Sequence, residues 1–323
     1  MRALVTGGAG FIGSHLCDAL IERGWAAVAV DNFITGKREN VAHLEGDERF
    51  TLVACDIEDA PRVACDLVFH LASPASPVGY GRHPLETLRA NSQGTWAALD
   101  IARANGAKFL LASTSEVYGD PLEHPQSERY FGNVDPVGPR ACYDEGKRFA
   151  EALTMSFASA HGLDARIVRI FNCYGPRNDI DDGRMVPTFA GQALRGEPLT
   201  VHGDGAQTRS LCYVDDLVDG LLAAMLTAGT AGRVYNLGQP REHSVLEFAQ
   251  MIVGIASSRS AIVHLPPRPG DIERRKPDVR RAEAELGWKA HRSLEHGLDR
   301  TIAWYRAQIA VPEPAERGRV PTT

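Results

Sequence analysis

Short apolar runs alternate with longer stretches whose apolar positions recur every three to four residues. Residues 3–6, 26–31, 50–54, 67–71, 108–113 and 164–171 are rich in Val, Ile, Leu, Ala and Phe and predict strands. Residues 13–23, 84–105 and 143–161 carry the helical spacing and fall between those strands. This alternation predicts an α/β fold, a Rossmann-type doubly wound parallel sheet with helices on both faces. The strands read as nearly unbroken apolar runs, as a sheet covered on both faces requires.

After Phe171 the pattern changes. Gly, Pro and Asp become frequent from Tyr174 to Gly205, and further helices are predicted near residues 214–226 and 244–255. We therefore expect a nucleotide-binding domain over 1–171, to which some later strands contribute, and a smaller C-terminal substrate lobe over 172–310. A tail over 311–323, rich in Pro, Glu, Arg and Gly, is expected to be disordered.

Composition narrows the function classes. Among 323 residues, 44% are apolar and the net charge is -6, so a core is affordable and no basic face for nucleic acid is expected. No apolar run reaches the roughly 18 residues a membrane span needs. Cys17, Cys55, Cys65, Cys142, Cys173 and Cys212 are scattered without a C-x-x-C pair, which predicts reduced thiols and no metal site. The start runs directly into a strand with no basic leader, so a cytoplasmic protein is expected.

The first chemical signal is a glycine-rich turn. Gly8, Gly10 and Gly13 satisfy G-x-G-x-x-G, and Gly7, Gly10 and Gly13 satisfy G-x-x-G-x-x-G. Either pattern, between a strand and a helix, lets backbone N–H groups approach a pyrophosphate at a helix N-terminus. Asp31 closes the second strand near the spacing expected for an acid on the adenosine ribose. An acid there repels a 2′-phosphate and no arginine follows at 32 or 33, so NAD is favoured over NADP. Asp56, after the third strand, either faces the adenine or caps the strand end.

The second signal is Tyr143 and Lys147, which share one helix face at i and i+4. An ammonium beside a phenol favours phenolate, which makes Tyr143 a candidate base for an alcohol proton while hydride leaves. The strand 108–113 runs into Thr114-Ser115-Glu116, and ligands of doubly wound sheets sit at such carboxyl ends. Thr114 or Ser115 can bond the reacting hydroxyl. Glu116 adds a carboxylate that simple alcohol oxidation does not require.

These segments resemble the extended short-chain dehydrogenases/reductases, and within them the UDP-glucuronate decarboxylases (UDP-xylose synthases). The likeness is carried by 71–78 (LASPASPV), 111–126 (LASTSEVYGDPLEHPQ), 142–148 (CYDEGKR) and 169–177 (RIFNCYGPR). It continues in 182–186 (DGRMV), 202–210 (HGDGAQTRS) and 275–278 (RKPD). The resemblance implies an enzyme that oxidises C4 of UDP-glucuronate with NAD, loses carbon dioxide from C5 and reduces C4 again to give UDP-xylose. Thr114, Tyr143 and Lys147 would then serve C4, while Ser115, Glu116 and Arg275 act near C5 and its carboxylate.

It implies further site residues. Gly7, Gly10, Phe11, Ile12 and Gly13 would hold the cofactor with Asp31, Asn32, Thr35 and Gly36. Asp56, Ile57, Leu71, Tyr143 and Lys147 would complete that site. Tyr80, Asn172, Arg184, Val186, His202, Gln207, Arg209 and Arg275 would hold the UDP-sugar. Relatives usually carry bulkier residues than Gly79 and Gly81 around Tyr80, and a tyrosine is common where His202 stands. A 4-epimerase or a 4,6-dehydratase shares the first step, although epimerases typically have Ala or Ser in place of Glu116. A non-catalytic NAD-sensing protein on the same fold is the alternative from another class. The helices 84–105 and 143–161 imply a homodimer through a four-helix bundle.

Overall fold

The computed structural model describes residues 1–61, 63–267 and 274–310. The expectation for the tail 311–323 lies outside the described residues.

Six strands of the first half, β1 (Arg2–Thr6), β2 (Ala26–Asp31), β3 (Phe50–Ala54), β4 (Leu67–His70), β5 (Lys108–Thr114) and β6 (Ala165–Ile170), form one sheet. Val234–Leu237 adds a seventh strand beside β6. The order is Val234–Leu237, β6, β5, β4, β1, β2, β3, and every pairing is parallel. Strand β4 is buried along its whole length. Apolar runs without alternation are what two covered faces demand. The strand order reverses between β1 and β4, which opens a crevice beyond their carboxyl ends.

Helix α1 (Phe11–Glu22) leaves β1 through the glycine turn and buries Leu16, Cys17, Leu20 and Ile21. Helices α2 (Pro77–Arg82), α3 (Pro84–Arg89), α4 (Thr95–Asn105) and α5 (Ala141–His161) follow. The predicted helix over 84–105 is α3 and α4 joined by a π-helical turn, Ala90–Gly94. Side chains enter its hydrogen-bond ladder there. Asn91 Nδ2 donates to the Thr87 carbonyl (2.8 Å), and Thr95 Oγ1 donates to the Asn91 carbonyl (3.0 Å). The wider turn seats Asn91 against Gly146 of α5, where a Cβ would lie 3.3 Å from the Asn91 Cβ.

The later part contributes α6 (Met185–Arg195), α7 (Val214–Leu226) and α8 (Val245–Ala256). Ser244 and Glu247 form a capping box at the start of α8. Besides the short parallel pair of Cys173–Tyr174 with Cys212–Tyr213, two further small sheets complete this part. Leu199–His202 pairs with Ile262–Leu265, and Thr208–Arg209 lies between His243–Ser244 and Arg274–Arg275. The second sheet sets Arg275 beside Arg209 at the crevice. Among the described residues no helix is long and apolar enough to cross a membrane.

Candidate active site

The crevice is a cavity of about 660 Å³ that runs from the glycine turn to the small sheets. Gly7, Gly10, Phe11, Ile12 and Gly13 line its floor, with Asp31, Asn32, Thr35, Gly36, Asp56, Ile57 and Leu71 on one side. All cofactor residues expected from the sequence therefore meet in one place. Of the two glycine patterns, the one beginning at Gly7 faces the cavity. Gly8 points back into the sheet, where a Cβ would sit 2.5 Å from the Ala29 Cβ. Gly7 takes a left-handed φ of +70°, and a Cβ on Gly13 would stand 2.1 Å from the Gly7 carbonyl oxygen.

This cradle fits a dinucleotide. Its backbone is bare of side chains where a pyrophosphate needs close approach, and α1 begins there. Asp31 accepts from the N–H groups of Ala9 and Phe33, each at 2.9 Å, and so braces the turn with the carboxylate that faces the crevice. Burial pushes its carboxyl above the ordinary value, and those backbone donors oppose the shift. Asn32 Nδ2 donates to Asp56 (2.6 Å), so the two predicted residues act as a pair. Below the cradle, the Thr6 hydroxyl oxygen accepts from the N–H groups of Leu71 and Ala72 (3.2 Å each). It also bonds His70 Nδ1 (2.7 Å), tying β1 to the start of the 71–78 loop.

The second half of the cavity holds Thr114, Ser115, Glu116, Tyr143, Lys147 and Arg275, and all six line it. Thr114 and Ser115 stand at the carboxyl end of β5, and α5 carries Tyr143 and Lys147 alongside. The Thr114 hydroxyl oxygen accepts from the Glu116 N–H (3.2 Å) and lies close enough to the Tyr143 phenol to favour its ionised form. Tyr80 of α2 stacks on the Tyr143 ring, with centroids 5.2 Å apart.

Burial dominates the electrostatics of the Tyr143–Lys147 pair. Full burial pushes the phenol up to about 12, and the Thr114 bond and Arg184 only partly oppose it. Lys147 is itself lowered to about 8 by burial, and its Nζ donates to the Ala112 carbonyl (2.9 Å). The ammonium is thereby held against β5, on the helix face it shares with Tyr143.

Glu116 is gripped on both oxygens. Arg275 pairs with Oε1 and Arg140 with Oε2. Burial works against its charge, but the two arginines prevail and hold its carboxyl below the ordinary value. Arg275 also donates to the Gly119 carbonyl (3.1 Å). Arg140 was not singled out in the sequence. It precedes α5 at its N-cap, where nothing in the local pattern marks it as a partner of Glu116.

Among the expected substrate residues, Tyr80, Asn172, Arg184, Val186, Arg209 and Arg275 line the cavity. Arg184 donates to the Ala75 carbonyl (2.6 Å) and so joins the 71–78 loop to the later part of the chain. His202 and Gln207 do not line it. Their side chains hold a turn: Gln207 Nε2 donates to the His202 carbonyl (3.0 Å), and His202 Nδ1 bonds the Pro266 carbonyl (2.9 Å).

Comparison with known proteins fits this geometry. Residues 3–238 match the NAD dependent epimerase/dehydratase family. The chain is 49% identical to UDP-glucuronic acid decarboxylase 1 of Danio rerio over 95% of its length and 73% of the relative's. It is 47% identical to UDP-glucuronic acid decarboxylase 3 of Arabidopsis thaliana over 97% of its length and 91% of the relative's.

The chain belongs to the UDP-glucuronic acid decarboxylase family.

Solved structures of the wider epimerase/dehydratase family share the fold. UDP-glucuronic acid 4-epimerase of Bacillus cereus, in complex with UDP-glucuronic acid and NAD, superposes with a TM-score of 0.86 at 30% identity, covering 95% of this chain and all of that one. UDP-glucose 4-epimerase of Thermotoga maritima, with UDP-glucose, gives 0.86 at 33% identity, covering 96% and 100%. In this decarboxylase-family chain the feature beyond a C4 oxidation site is Glu116 between its two arginines.

Proposed function

We propose that this protein converts UDP-glucuronate to UDP-xylose and carbon dioxide. The observation that carries the reading is the Arg140–Glu116–Arg275 cluster beside Tyr143, in a chain 49% identical to a decarboxylase over 95% of its length. Gly7, Gly10, Gly13 and Asp31 would hold NAD, which would supply the oxidant for C4.

Tyr143 takes the proton of the C4 hydroxyl, and Thr114 keeps the phenol oriented. Lys147 fixes α5 against β5 and adds positive charge under the phenol. The resulting 4-ketone stands next to C5, whose carboxylate makes it a β-keto acid. The C5–C6 bond breaks, carbon dioxide leaves, and the electron pair enters the ketone as an enolate. Tyr143 and Thr114 donate to that oxygen, the kind of preorganised oxyanion stabilisation that dominates many rate enhancements. Glu116 and Ser115 order the water that returns a proton to C5; the hydride taken from C4 would then go back to C4 while Tyr143 returns the proton to its oxygen, which gives UDP-xylose and leaves the dinucleotide oxidised. Arg275 receives the sugar's carboxylate, Arg184 and Arg209 the diphosphate, since a guanidinium fork matches both groups. Asn172, Val186 and Tyr80 complete the substrate contacts.

We further infer a homodimer in the cytoplasm. Trp96 of α4 and Phe149 of α5 are each 52% exposed, and Leu85 and Leu88 of α3 lie open beside them. An apolar patch on these helices supports pairing through a four-helix bundle. The six cysteines are unpaired thiols, which suits a reducing compartment.

An NMR time course with UDP-glucuronate and NAD tests the reading. UDP-xylose with loss of the carboxyl carbon is expected. Accumulation of UDP-galacturonate would make the protein a 4-epimerase and leave Glu116 without its role.

A further inference from the structure

Asp144 follows the catalytic tyrosine on α5 and is buried to 8% exposure, yet it has no role in the chemistry described above. Its Oδ1 is buried without a hydrogen-bond partner. So is the Nε of Arg140, one turn earlier on the same helix side. Arg140 Nε and Asp144 Oδ2 stand 3.9 Å apart, a charged contact too long for a hydrogen bond. Arg140 Nε thus lacks a partner with the Asp144 carboxylate just beyond hydrogen-bond reach through Oδ2, while the other oxygen of that carboxylate is itself unpartnered. Leaving such groups unmade is costly, so the arrangement reads as one of two positions.

The other end of Arg140 explains why a second position is needed. Its Nη2 occupies Oε2 of Glu116 while Arg275 occupies Oε1. A carboxylate held this way has one acceptor site of each oxygen engaged and both oxygens fixed in direction, so it is not free to turn toward water at C5. The two arginines are also the cations that a sugar carboxylate arriving beside Glu116 would meet. When that group arrives, three carboxylates share two guanidinium groups.

We propose that Asp144 is a positioning residue that takes hold of Arg140 when the substrate carboxylate enters, so that Glu116 is released to serve C5. Arg140 turns its Nε onto Asp144 and keeps its charge in the site, while Arg275 engages the sugar's carboxylate. No bond is made or broken in this step. The inference rests on the decarboxylase reading given above.

The charges around Asp144 add a pH signature. Burial first, and Glu116 second, push its carboxyl up to about 7 against the pull of Arg140 and Arg275. Glu145 on its own helix pushes in the same direction as Glu116. Tyr80 of α2, Tyr143 and Cys142 also share its field, and burial raises all three, which keeps them neutral there. A protonated Asp144 is a poor seat for a guanidinium. Release of Glu116 therefore fails as pH falls through about 7.

The test compares the unaltered NAD-loaded protein with Asp144→Asn, Asp144→Ala and Asp144→Glu on UDP-glucuronate, from about pH 6 to pH 9, a range that brackets an ordinary histidine-like titration. Rapid mixing follows C4 oxidation through the reduced nicotinamide absorbance and carbon dioxide release separately. Calorimetry gives the affinity for UDP-glucuronate, and a melting curve shows that each variant is folded. In Asp144→Asn and Asp144→Ala, carbon dioxide release should fall by roughly 10–100-fold, the scale of a misplaced catalytic group, while C4 oxidation falls less. The inflection near neutral pH should vanish in both and return in Asp144→Glu. Unchanged turnover with an unchanged pH profile would overturn the proposal. So would an equal loss in both steps with the inflection intact, which marks a structural role. If the unaltered protein releases no carbon dioxide from UDP-glucuronate, the decarboxylase reading itself fails and takes this inference with it.

Discussion

Tyr80 lies over Tyr143 as a near-parallel stack, with ring centroids 5.2 Å apart and planes 11° apart. The stack joins α2, at the end of the 71–78 loop, to the reacting end of α5. Gly79, just before that ring, leaves room for the cap of α2: a Cβ there would come within 2.9 Å of the Ser76 hydroxyl.

The stack predicts a difference between two substitutions. Tyr80→Phe keeps the ring and should leave kcat within about threefold, since offset aromatic pairs are worth only ~0.5–1.5 kcal/mol beyond area burial. Tyr80→Ala removes the surface that fixes the Tyr143 ring and should lower kcat by roughly 10–100-fold with a smaller change in KM. Steady-state kinetics on UDP-glucuronate separate the two. Equal effects from both variants would mean that the Tyr80 hydroxyl, not the stack, matters.

Gly13 tests the cofactor cradle without relying on turnover. A Cβ at this position would lie 2.1 Å from the Gly7 oxygen and 2.9 Å from the Gly8 Cα, both backbone atoms that cannot step aside cheaply. Gly13→Ala should therefore weaken NAD binding at least tenfold in a fluorescence titration and lower stability by about 1–3 kcal/mol, the scale of overpacking. Wild-type NAD affinity in a folded variant would remove Gly13 from the site.

Much of this architecture is legible in the chain because its signals are local. Apolar runs without alternation mark β1, β2 and β4, and the glycine spacing marks the β1–α1 turn. Choosing between the two glycine patterns needed the sheet, because only packing against Ala29 turns Gly8 inward. The π-helical turn was illegible. It arises when Asn91 and Thr95 bond their own helix's carbonyls, which composition permits at many positions. Arg140 was illegible for another reason: its partner Glu116 lies in a different element, and no periodicity links the two. The Tyr143–Lys147 spacing was legible as one helix face, but the burial that raises the phenol and lowers the ammonium was not, because spacing does not report it.

The exposed aromatics on α4 and α5 predict assembly. Trp96 meets Phe157 edge-on, with centroids 5.9 Å apart, so its ring is held in place yet remains half open. Phe149 is equally exposed one helix away. Sedimentation at micromolar concentration should find a dimer, and Trp96→Glu combined with Phe149→Glu should yield monomers by placing charge in a desolvated contact. A monomer in the unaltered protein would remove the four-helix bundle.

Lys147 gives the last prediction, in which the sign decides the outcome. Its ammonium is buried at 3% exposure, and burial lowers its proton affinity from the ordinary 10.5 to about 8. The folded state therefore binds the proton less tightly than the unfolded chain. Between about pH 8 and 10.5 the unfolded chain holds more protons, so stability rises with pH across that window. The cost of the buried charge is fully present below about pH 8 and fades as pH climbs toward 10.5. Lys147→Met removes this charge while keeping an unbranched apolar chain. Its stability relative to the unaltered protein should therefore be most favourable at neutral pH and decline by up to about 3 kcal/mol toward pH 10. The lost bond to the Ala112 carbonyl shifts both ends of that comparison equally and leaves the slope intact. Urea unfolding of both proteins at several pH values measures the slope. A difference that does not change with pH would mean that Lys147 keeps its ordinary proton affinity in the fold. The same variant should lose activity, because the positive charge beneath Tyr143 is what the phenolate relies on once substrate is bound.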